Sequence, residues 1–431
     1  MLRHKRRSWL PQLNHQVWIL AMGRLLSQIG TGFTMFYAPI FFVNQVGLSA
    51  TAVGIGLGSG SISGVVGRFL GGSFADSKFW GRRRTLLLSA AVSAVASVML
   101  ALTYNFPTFI VGNLLMGLGI GLYWPATEAA VADLTTIEQL NEAFVITRLA
   151  DSLGLGLGVV LGGALIGTTG NYRALFVIDA VSFVVFLGIV YAAIPETRKF
   201  DEHLPKQGSR GWAVALSDRH LMVYVLVNIL FTTYLAQVNS TMPLYFTNFV
   251  SSKTSIGGFS PKVISALFTW HVVCAALCQL PVARALNRFS RPRALTVSML
   301  LWCAGFVLIW VTGVASVGQI IWAILGLGVL AIATVAYTPS ASALVVDLAP
   351  ESLRGVYLSI NSQCWAIGYF IGPILGGWVL DQYHGVSEAM PKGLITHGFW
   401  LAAAASTSIG ILILQYLNRI LTTRGSRSHI P

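Results

Sequence analysis

Residues 71–87 read GGSFADSKFWGRRRTLL, so that Asp76, Lys78, Arg82, Arg83 and Arg84 fall within a few positions of one another. Between Asn44 and Gly71 the one charged residue is Arg68, and from Thr85 to Leu115 there is none. The same contrast runs through the chain: of its 431 residues, 55% are hydrophobic and 10% charged. A soluble domain carries about 25% charged residues, and a wet surface this poor in charge would expose large apolar patches. The solvent for most of this surface is therefore lipid.

A helix crosses a bilayer in about 20 apolar residues. Runs of that size lie near residues 16–43, 51–75, 84–104, 107–133, 142–167, 173–194, 221–249, 261–286, 293–313, 318–346, 353–380 and 395–420, twelve in all. The stretch 195–220, PETRKFDEHLPKQGSRGWAVALSDRH, is polar and charged and divides them six and six. The expected organisation is a tail 1–15, a six-helix bundle 16–194, a linker 195–220, a second bundle 221–420 and a tail 421–431. The fold class expected is an all-α membrane protein of two pseudo-symmetric bundles.

The net charge of +13 is not gathered in one patch, as nucleic-acid binding would need. It falls in short pieces: Arg3 to Arg7, Lys78 to Arg84, Arg198 to Arg219, Arg284 to Arg293, Arg354, and Arg419 to Arg427. The alternate loops receive Arg173, Lys253, Lys262 and Lys392. By the positive-inside bias, both termini and the opening stretch are cytoplasmic, and the chain is a multi-pass protein of the cell (inner) membrane. Nucleic acid is excluded as a partner.

The halves repeat. PATEAAVADL (Pro125–Leu134) resembles PSASALVVDL (Pro339–Leu348), and GLGVVLGG (Gly156–Gly163) resembles FIGPILGG (Phe370–Gly377) at the same offset. APIFFVN (Ala38–Asn44) resembles MPLYFTN (Met242–Asn248). Two copies of a unit that begins on one side form a parallel duplication, a plan of secondary transporters whose substrate site lies between the halves.

Gly72, Asp76 and Gly81-Arg82-Arg83 together resemble the loop signature of the major facilitator superfamily, with a spacer two residues longer than usual. Pro281–Arg293, PVARALNRFSRPR, is a worn copy in the second half, and Pro195–Arg198 closes span 6 in the same style. The chain is similar to bacterial multidrug-resistance members. The resemblance implies a conformational latch: Gly72 lets helices approach, Asp76 meets the positive N-terminal end of span 11 and the arginines of its own loop, and Asp133 pairs with Arg82. These contacts would hold the halves together when the protein faces outward and break when it turns inward. The alternative is a solvated loop that only orients the chain.

Two further signatures are incomplete. Span 5 has Gly154, Gly158, Gly162 and Gly163, with Val159 where antiporters of the family carry proline; span 11 has Gly368, Gly372, Pro373, Gly376 and Gly377. Such runs serve close helix packing or a moving hinge. Asn113 stands on span 4 where the family has an arginine linked to proton transfer.

Ionisable groups inside spans are costly and are functional candidates by default. The set read here is Arg24, Glu128, Arg148 and Asp151. Asp151 stands roughly 14 Å into its helix at 1.5 Å per residue, deep enough to act as a proton carrier. The competing reading pairs it with Arg148, three residues earlier, while Glu128 could pair with Arg24 or Arg148. In the family, spans 1, 4, 7 and 10 line the cavity. The residues expected there are Phe33, Tyr37, Trp124, Gln237, Asn239 and Tyr337, with helix packing as the alternative for each aromatic. An aromatic cavity with few fixed charges suits lipophilic or weakly cationic compounds and suits sugars poorly.

The glycine-rich strings at 54–60 and 117–121 lie inside spans, without the strand or acid of a dinucleotide site. Cys274, Cys278, Cys303 and Cys364 lie in apolar runs without further ligands, so neither metal nor cofactor is expected. With no nucleophile–base set, the expectation is transport rather than catalysis. It is a monomer that exports small lipophilic or weakly cationic molecules in exchange for protons by alternating access. A symporter or uniporter for a metabolite stays open on Asn113 and Val159. So does a non-transporting sensor or lipid scramblase on the same scaffold.

Overall fold

In lipid every backbone N–H and C=O must be satisfied within the protein, which leaves helices for a chain with twelve apolar runs. The computed structural model describes residues 13–77, 79–136, 139–197, 209–250, 258–286, 288–350, 353–385 and 394–427, and among these the regular structure is helical. The first half contains α1 (His15–Met35), α2 (Ala38–Asn44), α3 (Ala50–Ala75), α4 (Gly81–Ala101), α5 (Phe106–Asp133), α6 (Leu140–Thr169) and α7 (Arg173–Ala193). After a short α8 (Ser209–Ser217), the second half contains α9 (Arg219–Asn239), α10 (Thr241–Asn248), α11 (Pro261–Leu286), α12 (Arg291–Val314), α13 (Gln319–Leu348), α14 (Arg354–Gly385) and α15 (Leu394–Arg427). Counting α1–α2 and α9–α10 as one crossing each, twelve helical units are long and apolar enough to span a bilayer.

In one bundle α1 packs on α6 and α7, α3 on α5, and α4 on α5 and α7; in the other α9 packs on α14 and α15, α12 on α13 and α15, and α11 on α13. The halves meet along α3–α14 and α6–α11, with α2 against α10 at one end. Helix starts carry side-chain caps where the chain leaves lipid: Ser49 accepts from the Ala52 N–H, and Asn105 from the Thr108 N–H. Phe69, Leu277 and Leu412 are largely exposed, as side chains facing acyl chains would be.

Three features differ from the sequence reading. Spans 1 and 7 are not straight helices. Each breaks, at Phe36–Tyr37 and at Ser240, just before Pro39 and Pro243. Proline lacks the N–H that would continue the ladder and fits the first turn of a new helix. The expected linker contains a helical turn pair, α8, and the last helix runs on to Arg427. Residues 198–208 of that linker lie outside the described residues.

Candidate functional site

The centre of the first bundle is an ion pair that joins two helices. Gly154 and Gly158 of α6 press against the Leu25 and Ile29 carbonyls of α1, and Gly158 also meets Gly32; a Cβ at either α6 position would overlap backbone. With backbones in contact, short side chains reach across. Arg24 Nε donates to Asp151 Oδ1 at 2.9 Å, and Arg24 Nη2 meets Asp151 Oδ2 as well. The Arg24 side chain is 2% exposed, and its guanidinium lies 5.6 Å from the Tyr123 ring centroid and 5.4 Å from that of Trp124. Asp151 thus finds its partner 127 positions away and not within its own helix, because α1 and α6 touch. The Arg148 side chain lies outside the described residues. Glu128 is exposed and lies within electrostatic range of Arg24 and of Arg68.

Beside this pair is a cavity of about 460 Å³ whose lining includes Gln28, Thr31, Ser93, Trp124, Asp151 and Phe183, with Tyr369 contributed by the second half. Of the six expected cavity residues only Trp124 lines it. Phe33 is buried against Gly162, and Tyr37 donates to the Val159 carbonyl at 2.9 Å. Gln237 donates to the Gly372 carbonyl at 2.7 Å and Asn239 to Tyr369 Oη at 2.8 Å. Tyr337 donates to Asn228 at 2.6 Å inside a buried network with Tyr224 and Asn361. For the four polar residues the cause is that a polar side chain in an apolar bundle takes a nearby hydrogen-bond partner; Phe33 packs against a glycine instead. The charge list also omitted Arg68 and Asp179. Both were visible as ionisable residues inside apolar runs.

The opening stretch lies at the face of the molecule that carries the start of α1, here the basic face. Arg82 gathers the cluster. It meets Asp76 and the Ala75 carbonyl through Nη1, and Asp133 Oδ2 through Nε at 3.2 Å. Thr197 donates to the same Asp133 oxygen at 3.2 Å. Glu196 accepts the N–H groups of Arg82 at 2.8 Å and Arg83 at 3.2 Å. It caps α4, whose first residue Gly81 has φ +74°. Arg83 donates to the Tyr191 carbonyl at 2.6 Å. The worn copy keeps one such contact, Arg291 Nε to Asp347 Oδ2 at 3.6 Å. The Arg82–Asp133 pairing is therefore present, whereas among the described residues Asp76 bonds within its own loop and its side chain is 76% exposed; residues 351–352, at the start of span 11, lie outside the described residues. Nor is Gly72 a close approach: a Cβ there would meet nothing within 4 Å, while Gly71 is the glycine pressed against Leu122 and Pro125.

At the far face the halves are joined. The Asp381 carboxylate of α14 accepts the N–H groups of Ala50 and Thr51 at 2.8 and 2.7 Å, sitting on the positive end of α3. Asn44 and Asn248, the last residues of the repeated APIFFVN and MPLYFTN segments, exchange two hydrogen bonds of 2.9 Å. Phe36 stacks on Phe268 at 4.7 Å between centroids. The glycine pairs divide their work symmetrically. Gly162 and Gly376 pack on α1 and α9–α10 of their own bundles, while Gly163 and Gly377 pack across the seam on Ser265 and Ala50. Pro373 presents its carbonyl to Gly54 across the same seam, and Gly372 meets Ala236 within its bundle. The packing glycines and Pro373 belong to the glycine runs singled out in the sequence, whereas Asp381, Asn44, Asn248 and Phe36 do not; the signal for the asparagines is that both repeats end on one.

A family model described as Major Facilitator Superfamily matches residues 20–258 and 249–428. Multidrug resistance protein MdtH of Salmonella typhimurium is 24% identical over 377 residues, covering 87% of this chain and 88% of its own. The Na(+), Li(+), K(+)/H(+) antiporter of Planococcus maritimus is 24% identical over 381 residues, covering 80% and 85%. Among solved structures, nucleoside transporter NupG superposes with a TM-score of 0.79 at 14% identity, covering 94% of this chain and 99% of its own; this likeness is one of fold.

Proposed function

The chain belongs to the major facilitator superfamily and is a multi-pass secondary transporter of small molecules, and from that premise we propose that it exports lipophilic or weakly cationic compounds in exchange for protons. The observation that carries the reading is the Arg24–Asp151 pair, half-walled by Tyr123 and Trp124 at the edge of the cavity. A proton arriving at Asp151 removes the charge that holds Arg24. A cationic substrate can instead take the carboxylate and the aromatic faces, where cation–π attraction is worth about 0.5–2 kcal/mol. Proton and substrate then compete for one group, and their fluxes are tied in opposite directions. Relatives named as a multidrug resistance protein and as a cation/proton antiporter support the reading.

On the cytoplasmic placement of the basic face, a seam closed at the far face is an inward-facing state. The 76–84 cluster is then the latch of the opposite state, with Asp76 free to reach span 11 when the far face opens. Arg24, Glu128, Arg148 and Asp151 are the proposed charge relay, and Gly158, Gly162, Gly372, Pro373 and Gly376 the packing on which the halves rock. A second reading, symport or uniport of a metabolite, is favoured by Asn113, which donates to the Phe109 carbonyl of its own helix at 2.9 Å and supplies no charge for proton transfer. Purified protein in proteoliposomes with an imposed pH gradient decides between them. Gradient-driven movement of a lipophilic cationic dye against the proton flux is expected; movement of dye with the protons, or indifference to the gradient, defeats the export reading.

A further inference from the structure

The export mechanism leaves one buried acid unused. Asp179 stands six residues into α7 and is 1% exposed. Its Oδ2 accepts the Ser97 hydroxyl of α4 at 2.7 Å, and its Oδ1 has no partner among the described residues. Gly30 of α1 faces it: a Cβ there would lie 2.5 Å from Oδ1 and overlap the Ser182 hydroxyl, so a side chain at position 30 would displace the carboxyl.

No cation faces this acid from the helices that pack on it. α7 packs on α1 and α4. The ionisable residues of α1 are His15, at its start, and Arg24, which holds Asp151. Those of α4 are Arg82, Arg83 and Arg84 at the basic face, bonded to Asp133, the Tyr191 carbonyl and the Phe79 carbonyl. Those of α7 besides Asp179 are Arg173, bonded to the Ala101 and Thr103 carbonyls, and Tyr191 near its other end. An ionised carboxylate in such a place, with one hydroxyl for company, is far more costly than the neutral acid.

The cavity wall comes within one helical turn of this acid and of its partner. Ser93, one turn from Ser97 on the same side of α4, lines the cavity, as does Phe183, one turn from Asp179 on α7. Ser93 stands at the cavity wall, and Ser97, four residues on, holds Asp179 inside the bundle. We propose that Asp179 is a second proton-binding group of this transporter, held as the neutral acid in this state and reached from the cavity along the α4 hydroxyls. The step is proton exchange with water alone: the acid releases its proton when α1 shifts at Gly30 and admits water, and regains it when the site closes. The proposal rests on the proton-coupled reading above but concerns a different carboxylate, one with no cation beside it where Asp151 has Arg24.

Infrared difference spectroscopy on the full chain in lipid nanodiscs tests it without reference to transport. A carboxylic-acid C=O band at neutral pH is expected in the parent and in Asp151→Asn, lost in Asp179→Asn, and shifted in Ser97→Ala, which removes one hydrogen-bond donor. If parent and Asp179→Asn show the same acid band, the proposal is overturned, whether or not the protein moves protons. In proteoliposomes where the parent drives dye on a pH gradient, Asp179→Asn is expected to lose gradient-driven accumulation and keep dye exchange, with partial recovery in Asp179→Glu. Full gradient-driven accumulation in Asp179→Asn also overturns it. A parent that ignores the gradient defeats the export reading, and the acid band then decides for Asp179 alone.

Discussion

At the scale of the residue, Arg24 and Asp151 set the chemistry. Removing one member of a buried pair leaves the other charge uncompensated, at a cost of about 3–5 kcal/mol. Arg24→Ala is therefore expected to lower the thermal midpoint sharply in detergent, while the double variant Arg24→Ala/Asp151→Asn regains part of that loss; equal midpoints for the two variants would contradict a coupled pair. Asp151→Asn keeps the volume and removes the carboxylate. Dye transport by that variant is expected to be flat from mildly acid to mildly alkaline pH where the parent is pH-sensitive, and an unchanged profile would remove Asp151 from the carrier role. Both residues were legible as charges inside apolar runs. Their pairing was not, because proximity along one helix pointed to Arg148, whereas the contact depends on Gly154, Gly158 and Gly32 bringing two backbones together.

At the scale of the element, glycine position decides which helices can touch and in which state. Gly377 sits against the Ala50 carbonyl and Gly72 faces open space. Gly377→Val is expected to part the halves at the far face. The readout is faster labelling of an Asn44→Cys probe by an impermeant thiol reagent, in a background without the four native cysteines; unchanged labelling would deny that Gly377 closes the seam. Gly72→Val is expected to leave this state intact and to hinder the opposite one, so labelling should slow. The sequence placed glycines at helix-contact spacing in both halves. It could not say which of Gly162 and Gly163, or of Gly376 and Gly377, faces home and which faces the partner bundle, since neighbours on a helix differ by only about a third of a turn.

At the scale of the whole molecule, two carboxylates stand at opposite ends of one inter-bundle pair. Asp381 caps α3 at the far face, and Asp76, at the basic face, is held by Arg82 of its own loop with its side chain largely exposed. Weakening a charged cap of this kind costs about 1–2 kcal/mol, a shift of roughly 5–30-fold between two states. Asp381→Asn is expected to favour the far-face-open state and Asp76→Asn the state described here, with transport abolished in the latter and membrane insertion normal. Distances between spin labels at the far face would check both, and shifts in the same direction would sink the pairing of the two latches. Asn44→Cys with Asn248→Cys, oxidised to a disulfide, is expected to stop transport until reduced; transport through the cross-linked form would mean that the halves do not part there.

By itself the sequence determined that the chain lives in lipid, has twelve runs long enough to cross it in two repeated sets of six, and concentrates its cations in alternate loops. Those conclusions need only composition, run length and repetition, which are properties of the chain and not of its packing. The tertiary structure alone decided that Asp151 holds Arg24, that Tyr224, Asn228, Tyr337 and Asn361 bind one another inside the second half, and that the halves are joined by Asp381 and the two asparagines. Each of these is a short-range contact between residues far apart in the chain, and such contacts exist only once helices have chosen which faces to bring together.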